Sequence, residues 1–369
     1  MDDPLLKYKI GISLIPGIGN INAKKLIAYT GSVEAVFLEK KAALLKIPGI
    51  GERLAEQIRN QQIIGQAEKE IAFIEKYTIG YSFYLDDDYP VRLKNCEDSP
   101  IVFFYKGQTD FNKAKVISVV GTRNVTDYGK DCCSELIRGL KQREHDVTIV
   151  SGLAYGVDIN AHRAALKNGL HTIAVLAHGL NTLYPSAHKA TAKEICEHGA
   201  LLTDFTSSIL PERNTFVKRN RIIAGLSDAT IVVESGIKGG ALITADFANS
   251  YNRDVFAFPG RCSDGYSRGC NWLIKSNKAA LVESPEDIEY LMGWENNQKH
   301  VPKQAELFVE LTDEEQMIAD VLRESSELPV DIIAIRVDMP VSKVSAALLN
   351  LEFSGIITSL PGKIYRLKA

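Results

Sequence analysis

The chain has no apolar run approaching the roughly 20 residues that cross a bilayer as a helix, so no membrane span is expected. Its start, MDDPLLKYKI, is acidic and lacks the basic stretch and long apolar segment of a secretory signal. The six cysteines (Cys96, Cys132, Cys133, Cys196, Cys262 and Cys270) form no C-x-x-C pair. A disulfide framework or zinc site is therefore not expected, and a reducing cytoplasm fits their use. None of them has an evident base partner, so nucleophilic catalysis has no support. The G-x-x-x-x-G-K-[ST] phosphate loop is absent, "GLAYGV" does not fit G-x-G-x-x-G, and "GTRNVT" lacks the second and third glycines. A dominant charge is missing too. With 43 Lys and Arg against 46 Asp and Glu, the net charge is −3, and any polyanion must be held by a local basic patch.

What remains is the composition of an ordinary globular protein, 45% hydrophobic and 24% charged, long enough at 369 residues for two or three domains. Residues 1–80 alternate helical patterns with Gly-containing turns. The pentapeptide IPGIG occurs at 15–19 and again at 47–51, each time ahead of a helix, "NINAKKLIAYTG" and "ERLAEQIRNQQ". The pattern resembles a tandem helix-hairpin-helix or SAM-like module. In it, Gly17, Gly19, Gly49 and Gly51 would let the turns bring backbone N–H groups near a DNA phosphate. A helical packing unit that touches no nucleic acid fits equally, because 11 basic against 9 acidic residues leave this segment only +2.

From 81 to 293 the pattern becomes strand, loop, helix, repeated. "KVISVV", "DVTIV", "HTIAVLA", "ALLTDF", "ATIVVE" and "DVFAFPG" are short β-branched runs without polar alternation. Such runs suit strands covered on both faces, hence a Rossmann-like α/β core with a mostly parallel sheet, and 81–112 is expected to add strands at one edge. Residues 294–311 read as a polar linker. In 312–369 three helices and a hairpin turning at Pro361-Gly362 predict a winged helix whose recognition helix starts near Val341. Its 9 acidic against 6 basic residues favour protein contact or regulation over duplex binding.

Ligands of open α/β sheets bind at the carboxyl ends of the strands. Three small-residue loops follow strands there: "GTR" (Gly121–Arg123), "SGLAYG" (Ser151–Gly156) and "SGIKGGALIT" (Ser235–Thr244). Each is expected to point N–H groups at an oxyanion, with Arg123 adding a forked donor. "NTFVKRNRIIAGLSD" brings Lys218, Arg219 and Arg221 together, with 218 and 221 on one face and 219 turned away. The result is an anion pocket without visible catalytic equipment. Asp158 and His162, four apart on one helix, read as a cap and a packing residue before they read as an acid/base pair. Glu234 is the best single candidate for a catalytic carboxylate, although a carboxylate receiving backbone or Arg hydrogen bonds fits it better.

Taken together, "GTR", "SGLAYGVDINAH", "HGLNTLYP", "FVKRNRIIAGLS", "VVESGIKGGALITADFA", "DVFAFPG" and "GCNWLI" resemble, in order, the DNA-processing protein A (DprA/Smf) family across about 81–290. The resemblance implies a single-stranded DNA-binding, homodimeric protein of natural transformation that protects incoming strands, loads the RecA recombinase and promotes annealing. It implies no metal, no cofactor and no catalytic residue. Carried onto matching positions, the DNA contacts would be Gly121, Arg123, Ser151, Gly152, Lys218, Arg219, Asn220, Arg221, Gly239, Gly240 and Thr244. Phe216 is a candidate for base stacking, and Asp246 and Phe247 are assigned structural work. Many relatives have proline where Val217 stands, but the cationic register survives. Two rivals differ in class: a Rossmann-like nucleoside-monophosphate phosphoribohydrolase, whose Gly-Gly loop "KGGALIT" distantly echoes, and a scaffold that binds no DNA.

Overall fold

The computed structural model describes residues 3–60, 62–294, 311–325 and 327–368. The proposed linker, 294–311, lies almost wholly outside the described residues. Two compact units emerge, one made of residues 1–251 with 255–287 and the other of 252–254 with 288–369.

The first unit begins with helices α1 (Leu6–Leu14), α2 (Asn20–Thr30), α3 (Val33–Leu38), α4 (Lys41–Leu44), α5 (Glu52–Ile58) and α6 (Gln62–Tyr77). Both IPGIG segments are turns, and in each the first glycine needs its freedom: Gly17 has φ +82° and Gly49 φ +89°. The second glycines behave otherwise. Gly19 and Gly51 are extended helix caps at φ −87° and −89°, so the expected need for positive φ does not extend to them. The two turns face each other's helices. A methyl on Gly17 would lie 3.0 Å from Leu54 of α5, and one on Gly49 would lie 3.9 Å from Asn22 of α2.

These helices do not close a core of their own. Ile10, Leu26, Ala55 and Ile74 share one buried cluster with Phe83, Val102 and Phe104 of the strands that follow, β1 (Gly80–Phe83) and β2 (Val102–Gly107). The short α7 (Val91–Lys94) lies between those strands. Asn20 fastens α2 to the loop before β2, giving Nδ2–H to the Asp98 carbonyl and accepting the Ile101 N–H at 3.1 Å.

The core then runs β3 (Lys115–Val120), α8 (Asp127–Gln142), β4 (Val147–Ser151), α9 (Val157–Lys167), β5 (Thr172–Val175), α10 (Lys189–His198), β6 (Gly199–Thr203), α11 (Arg213–Leu226), β7 (Ala229–Val232), α12 (Gly240–Ser250), β8 (Asp254–Ala257), α13 (Arg268–Lys275), β9 (Ala280–Leu281) and α14 (Pro285–Leu291). The sheet order is β1-β2-β6-β5-β4-β3-β7-β8-β9. Pairings from β6 through β3 to β7 are parallel, while β1–β2 and β2–β6 are antiparallel, placing the added strands at one edge as expected. Every residue of β4, β5, β6 and β7 is buried, which is why their sequences show no polar alternation. The chain starts mid-sheet at β3, winds outward to β6, then returns through α11 to β7. The loops after β3 and β7 therefore diverge, and that is where an open sheet forms a crevice.

The second unit contains α15 (Asp313–Glu324), β10 (Leu328–Pro329), α16 (Val330–Arg336), α17 (Val341–Phe353), β11 (Ile357–Leu360) and β12 (Ile364–Leu367). It is a winged helix with a cluster of its own, including Ile318, Ile333, Leu348 and Leu351, and β10 adds a third strand to the hairpin. A capping box starts α15: Glu315 donates its N–H to Thr312 Oγ1 and accepts that of Thr312. Among the described residues, no helix is long and apolar enough to cross a membrane, and no group of three or more His, Cys, Asp or Glu could hold a metal ion.

Candidate nucleic-acid interface

The crevice at the β3/β7 divergence is a cavity of about 680 Å³. Gly121, Thr122 and Arg123 line one side, and Gly236, Lys238, Gly239, Gly240 and Thr244 the other; Arg213, Phe216 and Asn220 of α11 border it too, and the buried Asp158 and Arg219 are also part of its lining. Arg123, Arg213 and Lys238 are exposed, and among the described residues none has a carboxylate within ion-pairing distance. No side chain caps the N-terminus of α12, which opens onto the crevice at Gly239 and Gly240. Nothing lies within 4 Å of where a side chain on Gly240 would start. An anion there would meet a helix N-terminus and three exposed cations, an arrangement suited to phosphate.

Phe216 gives the crevice an aromatic ring beside its cations, and Tyr266 also lines it. The Arg123 guanidinium lies 5.0 Å from its ring centroid, that of Arg219 lies 5.9 Å away, and the exposed Tyr184 ring meets it edge-on at 5.9 Å. The Tyr184 loop is held by His178, whose Nε2 accepts the Tyr184 N–H at 3.2 Å.

The three loops turn out to differ. The third presents its helix N-terminus to the crevice. In the first, Thr122 donates its N–H to the Glu234 carbonyl at 2.7 Å, so the loop is tied to the end of β7. Glu234, 2% exposed, accepts the N–H and hydroxyl of Thr126, at 2.9 and 2.6 Å. Its geometry is that of a carboxylate bracing the Arg123 loop. The second loop faces inward, which corrects the expectation that it addresses an external oxyanion. Ser151 is fully buried and donates to the Val119 carbonyl at 2.6 Å, while the Ala154 N–H is directed at Asp158. Gly152 packs directly on the Arg219 guanidinium.

The basic helix also divides. Arg219 is turned away from 218 and 221, as its spacing predicts, but into the interior: it is 3% exposed and Nη1 donates to the Val175 carbonyl. Lys218 and Arg221 do share a face, yet they border a separate cavity of about 580 Å³ that Gly19 and Asn20 also line. There Arg221 pairs with Asp204 and donates to the Asp98 carbonyl, and the lining's two aspartates equal its two cations in number, although Lys218 makes no ion pair among the described residues. The single phosphate pocket expected from the clustered basic residues is thus corrected to a cationic crevice and a charge-balanced cavity. Asn220 stays with the crevice and donates to the Gly240 carbonyl at 3.3 Å. Thr244, 1% exposed, lies in its wall. Arg213 and Lys238 were missed by sequence reasoning. Their signal was available: Arg213 stands three and seven residues before Phe216 and Asn220 on one helical face, and Lys238 sits inside the Gly-rich loop.

Asp158 and His162 do not form an acid/base pair facing solvent. His162 is fully buried, its Nδ1 lies 2.6 Å from Thr172 Oγ1, and burial together with the nearby Arg219 charge pushes it down to about 3. Burial raises Asp158 against the opposing pull of Arg219.

Comparison with known proteins places this architecture. A family model described as DNA recombination-mediator protein A matches residues 80–293, and one described as the DprA winged helix domain matches 302–363. The chain belongs to the DNA recombination-mediator protein A family. The family match runs from β1 past α14 and so includes the whole crevice. The Protein Smf of Synechocystis is 30% identical over 97% of this chain and 98% of its own length. The DNA processing protein DprA of Streptococcus pneumoniae is 43% identical over 55% of this chain and 71% of its own. Its solved structure aligns with a TM-score of 0.65 at 35% identity, covering 77% of this chain and 97% of that one. A Helicobacter pylori member, whose structure is described as showing a single-stranded DNA binding mode, aligns with a TM-score of 0.52 at 27% identity, over 58% of this chain and 96% of that one.

Proposed function

We propose that this protein binds single-stranded DNA along the crevice between the β3 and β7 loops and serves as a recombination mediator in transformation. In this role it acts as a homodimer in the cytoplasm, shields incoming strands, delivers them to the RecA recombinase and promotes annealing, without itself performing chemistry. The observation that carries the binding site is the set of three exposed cations, Arg123, Arg213 and Lys238, around Phe216 and an uncapped helix N-terminus. Family membership and the single-stranded DNA binding mode described for the Helicobacter pylori member support the choice of ligand class. Backbone contacts by Lys and Arg with stacking on an aromatic ring give sequence-independent affinity that salt weakens.

Fluorescence anisotropy with single-stranded and duplex oligonucleotides over a salt series tests this. Three phosphates neutralised per protomer predict a logarithmic salt slope of about −2 for a single strand. Arg123→Ala, Arg213→Ala and Lys238→Ala should each reduce the magnitude of that slope by roughly 0.7. Equal affinity for duplex, or slopes untouched by all three substitutions, would sink the assignment. Release of free base from a nucleoside monophosphate would instead establish the phosphoribohydrolase.

A further inference from the structure

We infer that Arg219 and Asp158 form a buried, charge-neutral strut that positions Phe216 and the crevice floor, and that Arg219 is a positioning residue instead of a phosphate contact. The inference rests on the single-strand reading above and deepens it. Arg219 leaves α11 toward the sheet and gives Nη1 to the Val175 carbonyl at the end of β5. Its guanidinium occupies the space a side chain at Gly152 would take, so the glycine of the second loop admits this cation and no external anion. Asp158, at the start of α9, is buried in the lining of the same cavity as Arg219 and receives the Ala154 N–H. It supplies the opposing charge across the cavity wall, without a direct ion pair to Arg219 among the described residues. One guanidinium therefore ties α11 to the end of β5 and to the loop between β4 and α9. Nε of Arg219 has no hydrogen-bond partner among the described residues, so little else would hold the group if either attachment were lost.

The consequence reaches the crevice through Phe216. Its ring lies 5.9 Å from the buried Arg219 and 5.0 Å from the exposed Arg123. Arg219 thus lies against the same ring as the outer arginine. Because Arg219 and Asp158 cancel, the pair adds no net charge and should displace no counterion from a strand, unlike Arg123 or Arg213.

That difference gives a readout which a direct contact would not share. Arg219→Lys keeps the charge and loses the fork; Gly152→Ala keeps both but crowds the guanidinium. Each should weaken single-strand binding by about tenfold while leaving the salt slope at the wild-type value. A slope reduced as in Arg123→Ala would overturn the strut, and so would unchanged affinity in both variants. Thermal unfolding of each variant checks that it folds. Where folding fails, arginine-specific dicarbonyl labelling of the wild-type chain, read by mass spectrometry with and without oligonucleotide, decides. Arg123 and Arg213 should react and be protected by the strand, whereas Arg219 should stay unreactive in both states. Arg219 that reacts and is then protected overturns the proposal. A wild-type chain lacking salt-dependent single-strand binding would refute the functional reading itself, with the labelling pattern of Arg219 still interpretable.

Discussion

His162 is held neutral inside the protein, and its surroundings say why. Nδ1 pairs with Thr172 Oγ1, whose hydroxyl is itself committed to the Ile149 carbonyl, so Nδ1 carries the hydrogen and Nε2 is bare. Protonating Nε2 would place a second buried cation near Arg219, which together with burial takes the imidazole from 6.5 to about 3. The sign of the linkage follows. Between those two values the unfolded chain takes up a proton that the folded chain refuses, so stability falls as pH drops, by about 1.4 kcal/mol per unit well inside the window. Asp158 works the other way, since its raised carboxyl takes a proton more readily when folded and relieves a burial penalty as acid is added. We predict that His162→Gln, which retains a donor for Thr172, flattens the fall in urea midpoint from about pH 6 to 4. A decline as steep as the wild type's would show that His162 does not drive it. Glu234 gives a second residue-scale prediction. Glu234→Ala strands the Thr126 N–H and hydroxyl and should cost about 1–3 kcal/mol in denaturant unfolding. It should also loosen the Arg123 loop enough to weaken strand binding.

At the scale of elements, the doubled IPGIG separates two jobs that the identical letters conceal. Gly17 holds a left-handed turn at φ +82° and its missing side chain leaves room for Leu54, while Gly51 is extended and open. Gly17→Ala should therefore destabilise the chain by about 1–2 kcal/mol. Gly51→Ser should be neutral or gain a few tenths, because serine caps a helix better than glycine does. Equal losses in urea unfolding would contradict the difference in backbone geometry. Much of the element order was legible beforehand, since fully apolar β-branched runs and Gly-rich turns encode buried strands and their exits locally. The recognition helix, expected near Val341 and found to start there, follows from such local signals. What sequence did not show is direction. A "SGL" loop facing Asp158 and a "SGI" loop facing the crevice look alike in letters, because the difference is made by a buried partner far along the chain. The shared core of the N-terminal helices with β1 and β2 was hidden for the same reason, as it depends on side chains distant in sequence.

At the scale of the whole molecule, the net charge of −3 means that the long-range field does not attract a polyanion, so binding must come from how charges are sorted. The crevice concentrates cations without paired carboxylates, whereas the winged helix does the opposite. On α17 the exposed Val341, Ala346, Leu349 and Phe353 are interspersed with exposed Ser342, Ser345 and Asn350, and the helix's one cation, Lys343, is paired with Glu314. A groove-reading helix needs free cations beside its hydrogen-bonding side chains, and this one has serines and an asparagine but no unpaired cation. The winged helix should therefore add little to nucleic-acid affinity, and its separate buried cluster means that removing it need not empty the core of the first unit. A chain ending at residue 311 is predicted to bind single-stranded oligonucleotides within about twofold of the full chain and with the same salt slope. In that shortened chain Arg123→Ala should still cost roughly 0.7 of slope. A shallower slope in the truncated protein alone would mean that 312–369 contacts phosphate directly. An unchanged slope there, combined with loss of recombination in a reconstituted strand-exchange assay, would instead place the outer face of α17 against a protein partner.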